Sequence, residues 1–553
     1  MNSKPWFATY QQYGIPSDIS PSRHHSVVDL LEEAMRTFDN KPAFRSYGQT
    51  LSYRDVDRLS SAFAAWLQQK LGVKKGDRIA VMMPNLLAFP IALIGIARAG
   101  AIQVSINPLY TARELEHQLS DSGCEIIVVF NGSSPTLTSV IGETRIRSVI
   151  TVGVSVEQED DDYLPPPPLP MGDWLTDTIA FETVLREGAK LRRTAVEVGG
   201  DDLLLLQYTG GTTGLSKGAA LSHRNLLANT EQFQSMMPGS LQPGQEVLVT
   251  ALPLYHIFAL MVNFITCFSS GADNWLVANP SDMDGFIDIL IQAKPSVFMG
   301  VNTIYSNLVA HPRIGEVDFS RLHLAGGGGA AVLEVTSKKW QKLTGTFIRE
   351  GYGLSETGPI LSFNPLKIEE FTATTGLPVP GTDIKLLDEN GLEAGVGEAG
   401  EICAKGPQVM RGYWNKPDAN ASSFTADGYF LTGDIGRIDE NGFLTIVDRK
   451  KDMIIVSGFN VFPNEIEAYA SRCPGVRECA CIGVPNEKTG EAVRLYVVKT
   501  PGSSLKPFDV ISHCRLGMTA YKIPKTVVFL DELPKSPVGK ILRRELRKLA
   551  DLS

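Results

Sequence analysis

The sequence predicts an α/β protein with a large N-terminal body and a small α+β domain at its C-terminal end, on three observations. Apolar runs of strand length alternate with amphipathic helical stretches through the first half of the chain, the pattern of parallel sheets with helices on their faces. From Gly376 to Asp448 the texture changes to short alternating runs divided by Glu389-Asn390-Gly391 and Glu440-Asn441-Gly442, which are hairpin signals. Beyond the charged segment Arg449–Asp452 a last series of strands and helices fills about a hundred residues, enough for one further small domain.

In chain order, Ser52 and Asp55 fit a capping box. Val56, Leu59, Phe63, Trp66 and Leu67 then recur at helical spacing until Gly72, predicting an amphipathic helix. The apolar run Ile79–Met83 ends at Pro84-Asn85 and predicts a strand, followed by a helix up to Gly100, a second helix over Thr111–Ser120 and a strand over Glu125–Phe130. The segment EQEDDDYLPPPPLP, 157–170, is acidic and then proline-rich, so it reads as a surface insertion. In the last domain, strands are expected near Cys479–Val484, Val493–Val498 and Thr526–Leu530, with helices at Glu465–Ser471 and Asp509–Met518.

Bulk properties exclude some functions. A net charge of -9 over 553 residues disfavours nucleic acid held through its phosphates. Seven cysteines without a CxxC pair or zinc-type spacing read as reduced packing thiols of a cytoplasmic protein. The longest greasy stretch, Ile91–Ile106, is interrupted by Arg98 and Gln103, so no transmembrane helix is expected.

The chemistry concentrates in loops. YTGGTTGLSKG, 208–218, follows the apolar run Leu203–Leu206. A glycine-rich turn there lets backbone N–H groups crowd around phosphate oxygens, with hydroxyls and a lysine adding donors and charge. It is not a Walker A loop, because Lys217 is preceded by Ser216 and followed by Gly218. AGGGGA, 325–330, offers flat backbone that could admit a planar base. GYGLSETGP, 351–359, places an aromatic, a hydroxyl and a carboxylate close together, suited to base stacking, a phosphate hydrogen bond and a Mg²⁺ ligand. YFLTGDIG, 429–436, presents Asp434 after a turn glycine, where it could accept from a ribose diol or simply cap a turn.

With LPLYHIF (252–258), DRKKDMIIVSGFNVFPNEIE (448–467) and LPKSPVGKILRREL (533–546), these segments resemble, in order, the adenylate-forming superfamily of acyl-CoA synthetases, luciferases and peptide adenylation domains. SINPLYTARELEHQLSDSG and VSGFNVFPNEIE look most like bacterial long-chain fatty acid CoA ligases. The resemblance implies an adenylation domain over 1–448 whose β-rich part, about 376–448, is a barrel, a hinge at about 449–451, and a small mobile lid domain over 452–553. It implies that Thr209, Gly210, Gly211, Thr212, Thr213, Gly214 and Lys217 orient the ATP phosphates. Tyr352 and Gly353 with Gly328, Gly329 and Ala330 would line the adenine pocket. Ser355 stands where many relatives carry threonine. Glu356 would hold Mg²⁺, Asp434 the ribose, and Arg449 the ribose or phosphate edge. Lys540 would stabilise charge developing between carboxylate and α-phosphate, His256 would lie near the carboxylate and acyl tunnel, and Gly458 would line the CoA path. Tunnel lining is expected between Tyr255 and Phe268 and around Val297–Val301.

The implied reaction is activation of a long-chain fatty acid to acyl-AMP with release of pyrophosphate, then transfer to CoA. Three other readings stay open: a medium-chain or aryl-acid CoA ligase, a fatty acyl-AMP ligase that loads a carrier protein, and a non-catalytic sensor. A homodimer and peripheral contact with the cytoplasmic face of the inner membrane are further expectations.

Overall fold

The computed structural model describes residues 4–19, 22–153, 178–209, 216–457, 459–536 and 539–551. The acidic and proline-rich segment 157–170, the loop residues 210–215 and Gly458 lie outside them.

Two large sheets form the body. The first has seven strands in the order Thr178–Ala180, Ser148–Val152, Ile126–Phe130, Arg78–Met82, Ile102–Ile106, Leu203–Thr209 and Lys217–Ser222. All neighbours are parallel except the last two, which pair antiparallel across the glycine-rich connection. The helix Tyr53–Lys70 starts at the expected box, with Ser52 accepting from the Asp55 amide and Asp55 from that of Ser52. Ala88–Arg98 is buried on every side, as a helix apolar all round must be.

The second sheet has nine strands, parallel through its centre and antiparallel at both ends. The antiparallel ends depart from the all-parallel reading. At one end the cause is local: Tyr47 and Gly48, both at positive φ, join Pro42–Ser46 to Gln49–Ser52, and a two-residue turn of that kind closes a hairpin.

Between the sheets, Ala259–Thr266 is a π-helix with every residue buried, packed on the helix His223–Met236. Among the described residues no helix is long and apolar enough to cross a membrane. All seven cysteines are buried and unpaired.

Asp383–Leu387, Gly400–Lys405, Phe430–Ile438 and Leu444–Arg449 make a four-stranded antiparallel sheet. Its first and last strands do not pair, so the implied barrel is corrected here to an open sheet; four strands are too few to close around a filled core. The last domain is a five-stranded sheet carrying the helices Pro463–Ala470, Pro507–Arg515 and Arg543–Asp551. The third helix adds to the two expected from the sequence.

Candidate active site

Three strand ends converge on one pocket. Strand Leu203–Thr209 delivers Thr209, whose hydroxyl donates to Glu356 Oε1 at 3.3 Å. Glu356 sits in the short turn Ser355–Thr357 just after strand Ile348–Gly353. Its position depends on a close backbone approach, since a Cβ on Gly353 would stand 1.7 Å from the Pro359 carbonyl oxygen. Glu356 Oε1 also accepts from the Tyr413 hydroxyl at 2.8 Å, and among the described residues no hydrogen bond falls on Oε2. A carboxylate steadied on one oxygen and open on the other fits a Mg²⁺ ligand, because that ion takes one or two carboxylates beside phosphates and waters. Lys217 starts the return strand and lies 5.1 Å from the centre of the Tyr413 ring, within cation–π range.

On the other wall, the Tyr352 hydroxyl donates to Asp434 Oδ2 at 2.7 Å. Asp434 and Arg449 are cross-strand partners, with Arg449 Nε 3.5 Å from Asp434 Oδ1. Burial raises the Asp434 carboxyl above its ordinary value, while Arg449, the Tyr352 hydrogen bond and Lys540 pull it back. Gly328 is buried, whereas Gly329 and Ala330 at the end of strand Leu324–Gly327 are open to solvent.

Lys540 enters this pocket from the small domain. A Cβ added to Gly329, which has φ +75°, would stand 3.4 Å from Lys540 Cε, so the lysine stem passes directly over bare backbone. Its loop is pinned by the Ser536 amide to the Lys540 carbonyl at 2.7 Å and by the Lys540 amide to Ser536 Oγ at 3.1 Å. Gly539 seats against Thr303 and Val301 of the large domain. Burial, with repulsion from Arg449, pushes Lys540 down to about 8, and Asp434 and Glu356 act in the opposite sense. His256, in the turn ahead of the π-helix, accepts from the Phe258 amide at 3.3 Å. Burial and the neighbouring Lys540 charge drive His256 down to about 3, so it is neutral and cannot serve as a cation at physiological pH.

The structure thus brings together Thr209, Lys217, Gly328, Gly329, Ala330, Tyr352, Gly353, Ser355, Glu356, Asp434, Arg449, Lys540 and His256. Gly210, Gly211, Thr212, Thr213, Gly214 and Gly458 lie outside the described residues. Sequence reasoning missed Tyr413. Its signal was an aromatic pair directly after Gly412 in RGYWN, but its partners Glu356 and Lys217 are remote in sequence.

Polar contacts also join the small domain to the body. Arg472 pairs with Glu334 at 3.2 Å and Asn460 donates to Glu389 at 2.8 Å. Where the chain passes from the four-stranded sheet into the small domain, Asp448 is fully buried and accepts from the Asn464 and Arg449 amides. Arg543 bonds Glu467 and Asn464, each at 2.8 Å, and stands 4.0 Å from Asp448 and 3.8 Å from Asp452.

A sheet-built body presents a carboxylate and hydroxyls at its strand ends, and a second domain lays a lysine over Gly329 beside them, a set of groups able to hold an anionic substrate. Residues 31–414 match the family model described as AMP-binding enzyme, and 465–540 match that of the AMP-binding enzyme C-terminal domain. The chain belongs to the AMP-binding enzyme family. It is 47% identical over 557 residues to a long-chain-fatty-acid–CoA ligase of Escherichia coli, covering 98% of each chain. Among solved structures, ATP-bound MatB from Rhodopseudomonas palustris is similar at 29% identity and TM-score 0.80, covering 94% of this chain and 98% of that one. The anthranilate CoA ligase AuaEII shares the fold, at 24% identity and TM-score 0.86 over 98% of each chain.

Proposed function

We propose that this chain is a long-chain fatty acid–CoA ligase: it forms acyl-AMP and pyrophosphate from ATP and a long-chain fatty acid, then passes the acyl group to CoA with release of AMP. The observation that carries the reading is Lys540 lying over Gly329, where the Asp434 and Glu356 charges favour its ammonium, supported by the end-to-end similarity to the Escherichia coli ligase.

A carboxylate does not accept a thiol directly, because the leaving group would be oxide; AMP leaves readily once the mixed anhydride exists. The Lys540 ammonium is aimed at charge developing between the carboxylate and the α-phosphate, where a preorganised cation acts most strongly. Asp434 accepts from the ribose diol, and Tyr352, held by its bond to Asp434, presents its ring to adenine. Thr209 and Lys217 serve the phosphates. Glu356 would hold Mg²⁺, which would offset phosphate charge. No protein nucleophile is needed, and the buried cysteines stay outside the chemistry. The apolar walls around Tyr255–Phe268 and Val297–Val301 would take the alkyl chain, each buried methylene contributing about 0.8 kcal/mol. The proposal extends to a homodimer and to peripheral contact with the inner membrane, which sedimentation and vesicle flotation test.

The deciding experiment is pyrophosphate release from ATP and Mg²⁺ with acids of graded length plus a cinnamate-type acid, each with and without CoA. CoA-dependent turnover peaking with long-chain acids supports the proposal. A peak with short or aromatic acids overturns the substrate assignment, and acyl-AMP accumulation indifferent to CoA overturns the acceptor.

A further inference from the structure

The helix Ala112–Ser122 lies outside the pocket, yet two side chains on one of its faces reach the strand pair that carries Thr209 and Lys217. His117 Nε2 is 2.8 Å from the Ser216 carbonyl oxygen. A carbonyl only accepts, so Nε2 bears the proton and donates. One turn on, Asp121 accepts from the Tyr208 hydroxyl at 2.7 Å and pairs with Lys416. The Asp121 side chain is only 9% exposed. His117 and Asp121 are four residues apart, so they share a helix face. One bonds the residue before Lys217 and the other the residue before Thr209, and Thr209 and Lys217 are themselves cross-strand partners. The helix is fixed at its start by a Thr111–Glu114 capping box. Along the free edge of the second strand, the Trp414 amide bonds the Gly218 carbonyl at 2.8 Å and Tyr413 bridges to Ala219.

We infer that His117 and Asp121 are positioning residues that clamp the two strands of this pair, so that Thr209 and Lys217 keep the spacing at which they meet the ATP phosphates. The inference rests on the proposed reaction for the identity of the anion. The bonds of His117 and Asp121 run to Ser216, Tyr208 and Lys416 and not to Lys540, so the clamp acts on nucleotide binding in the first half-reaction and not on thioester formation. His117 matters as a donor: Gln, which can place an N–H at the same reach, substitutes for it, while Ala and Phe do not.

The test compares the wild type with His117→Ala, His117→Gln and Asp121→Asn in two assays on the full chain: fatty-acid-dependent pyrophosphate release with varied Mg-ATP, and thioester formation from supplied acyl-AMP and CoA. Loss of one donor to the strand end should raise the KM for ATP by about tenfold in His117→Ala, the upper range for one hydrogen bond, with the thioester step within about twofold of wild type. His117→Gln should recover most of that loss. Asp121→Asn, which keeps an acceptor for Tyr208 but drops the charge facing Lys416, gives an intermediate KM and covers the case in which His117→Ala does not fold. An unchanged KM in both His117→Ala and Asp121→Asn overturns the inference, as does equal loss in both half-reactions. Absence of acid-dependent pyrophosphate release in the wild type would instead overturn the proposed function.

Discussion

Raising the pH from about 7 to about 9 should switch off acyl-AMP formation while leaving thioester formation running, because the first step alone uses the charge on Lys540. The pocket lowers that lysine from 10.5 to about 8, so the charge is present below pH 8 and lost above it. The protonated fraction then falls from about nine-tenths at pH 7 to about one-tenth at pH 9. Above pH 8, kcat/KM for acid-dependent pyrophosphate release should drop about tenfold per unit, following the free enzyme. The limb in kcat should lie at higher pH, since bound triphosphate favours the ammonium. Thioester formation from supplied acyl-AMP should lack this limb. Lys540→Arg supplies the control: a guanidinium stays charged throughout, so the descending limb should vanish whatever the residual rate. A limb that persists in Lys540→Arg, or a wild-type profile flat to pH 9.5, would refute the assignment of the limb to Lys540.

Lys540→Ala should cut acyl-AMP formation by about 10²- to 10³-fold, the usual cost of removing one preorganised charge-stabilising group, and spare thioester formation; single-turnover assays of each half-reaction check this. Tyr413→Phe removes one of the two hydrogen bonds on Glu356 Oε1, a bond to a charged group worth about 1.5–3 kcal/mol. The Mg²⁺ concentration giving half-maximal pyrophosphate release should therefore rise by an order of magnitude or more, and an unchanged Mg²⁺ requirement would remove Tyr413 from that role. Arg543→Ala strands Glu467 and Asp448 without their shared cation, while Asp452 keeps Arg547. It should destabilise the small domain by about 3 kcal/mol or more, seen as an early transition in thermal unfolding.

Much of this architecture is legible in the sequence because it is written locally. The capping box at Ser52 and Asp55, the apolar run Ile79–Met83 and the turn glycines of the hairpin segment each signal within a few residues. The loops with glycine beside hydroxyl and carboxylate likewise mark the strand ends where the pocket forms. What was not legible depends on contacts between distant segments. Tyr413 meets Glu356 only because the strand Lys217–Ser222 carries the 412–414 segment along its edge. Asp448 and Arg543 sit in charged runs, yet Asp448 is fully buried, because the Asn464 and Arg449 amides bond it and Arg543, itself held by Glu467 and Asn464, stands 4.0 Å away as counter-charge. His256 has a motif address, but its neutrality follows from burial beside Lys540, which no spacing encodes.

The π-helix Ala259–Thr266 has a consequence for how such a wall changes over generations. A turn with i→i+5 bonds behaves as an α-helix holding one surplus residue. Removing a single residue there would let the turn relax to 3.6 residues and rotate everything on one side by about 100° relative to the other. Phe258 on one flank and Phe268 on the other would then present different faces to the core in which Phe268 packs on Phe44 and Tyr53. An insertion or deletion of one codon would therefore repack this part of the core more than any single replacement, while the surrounding sheets kept their register.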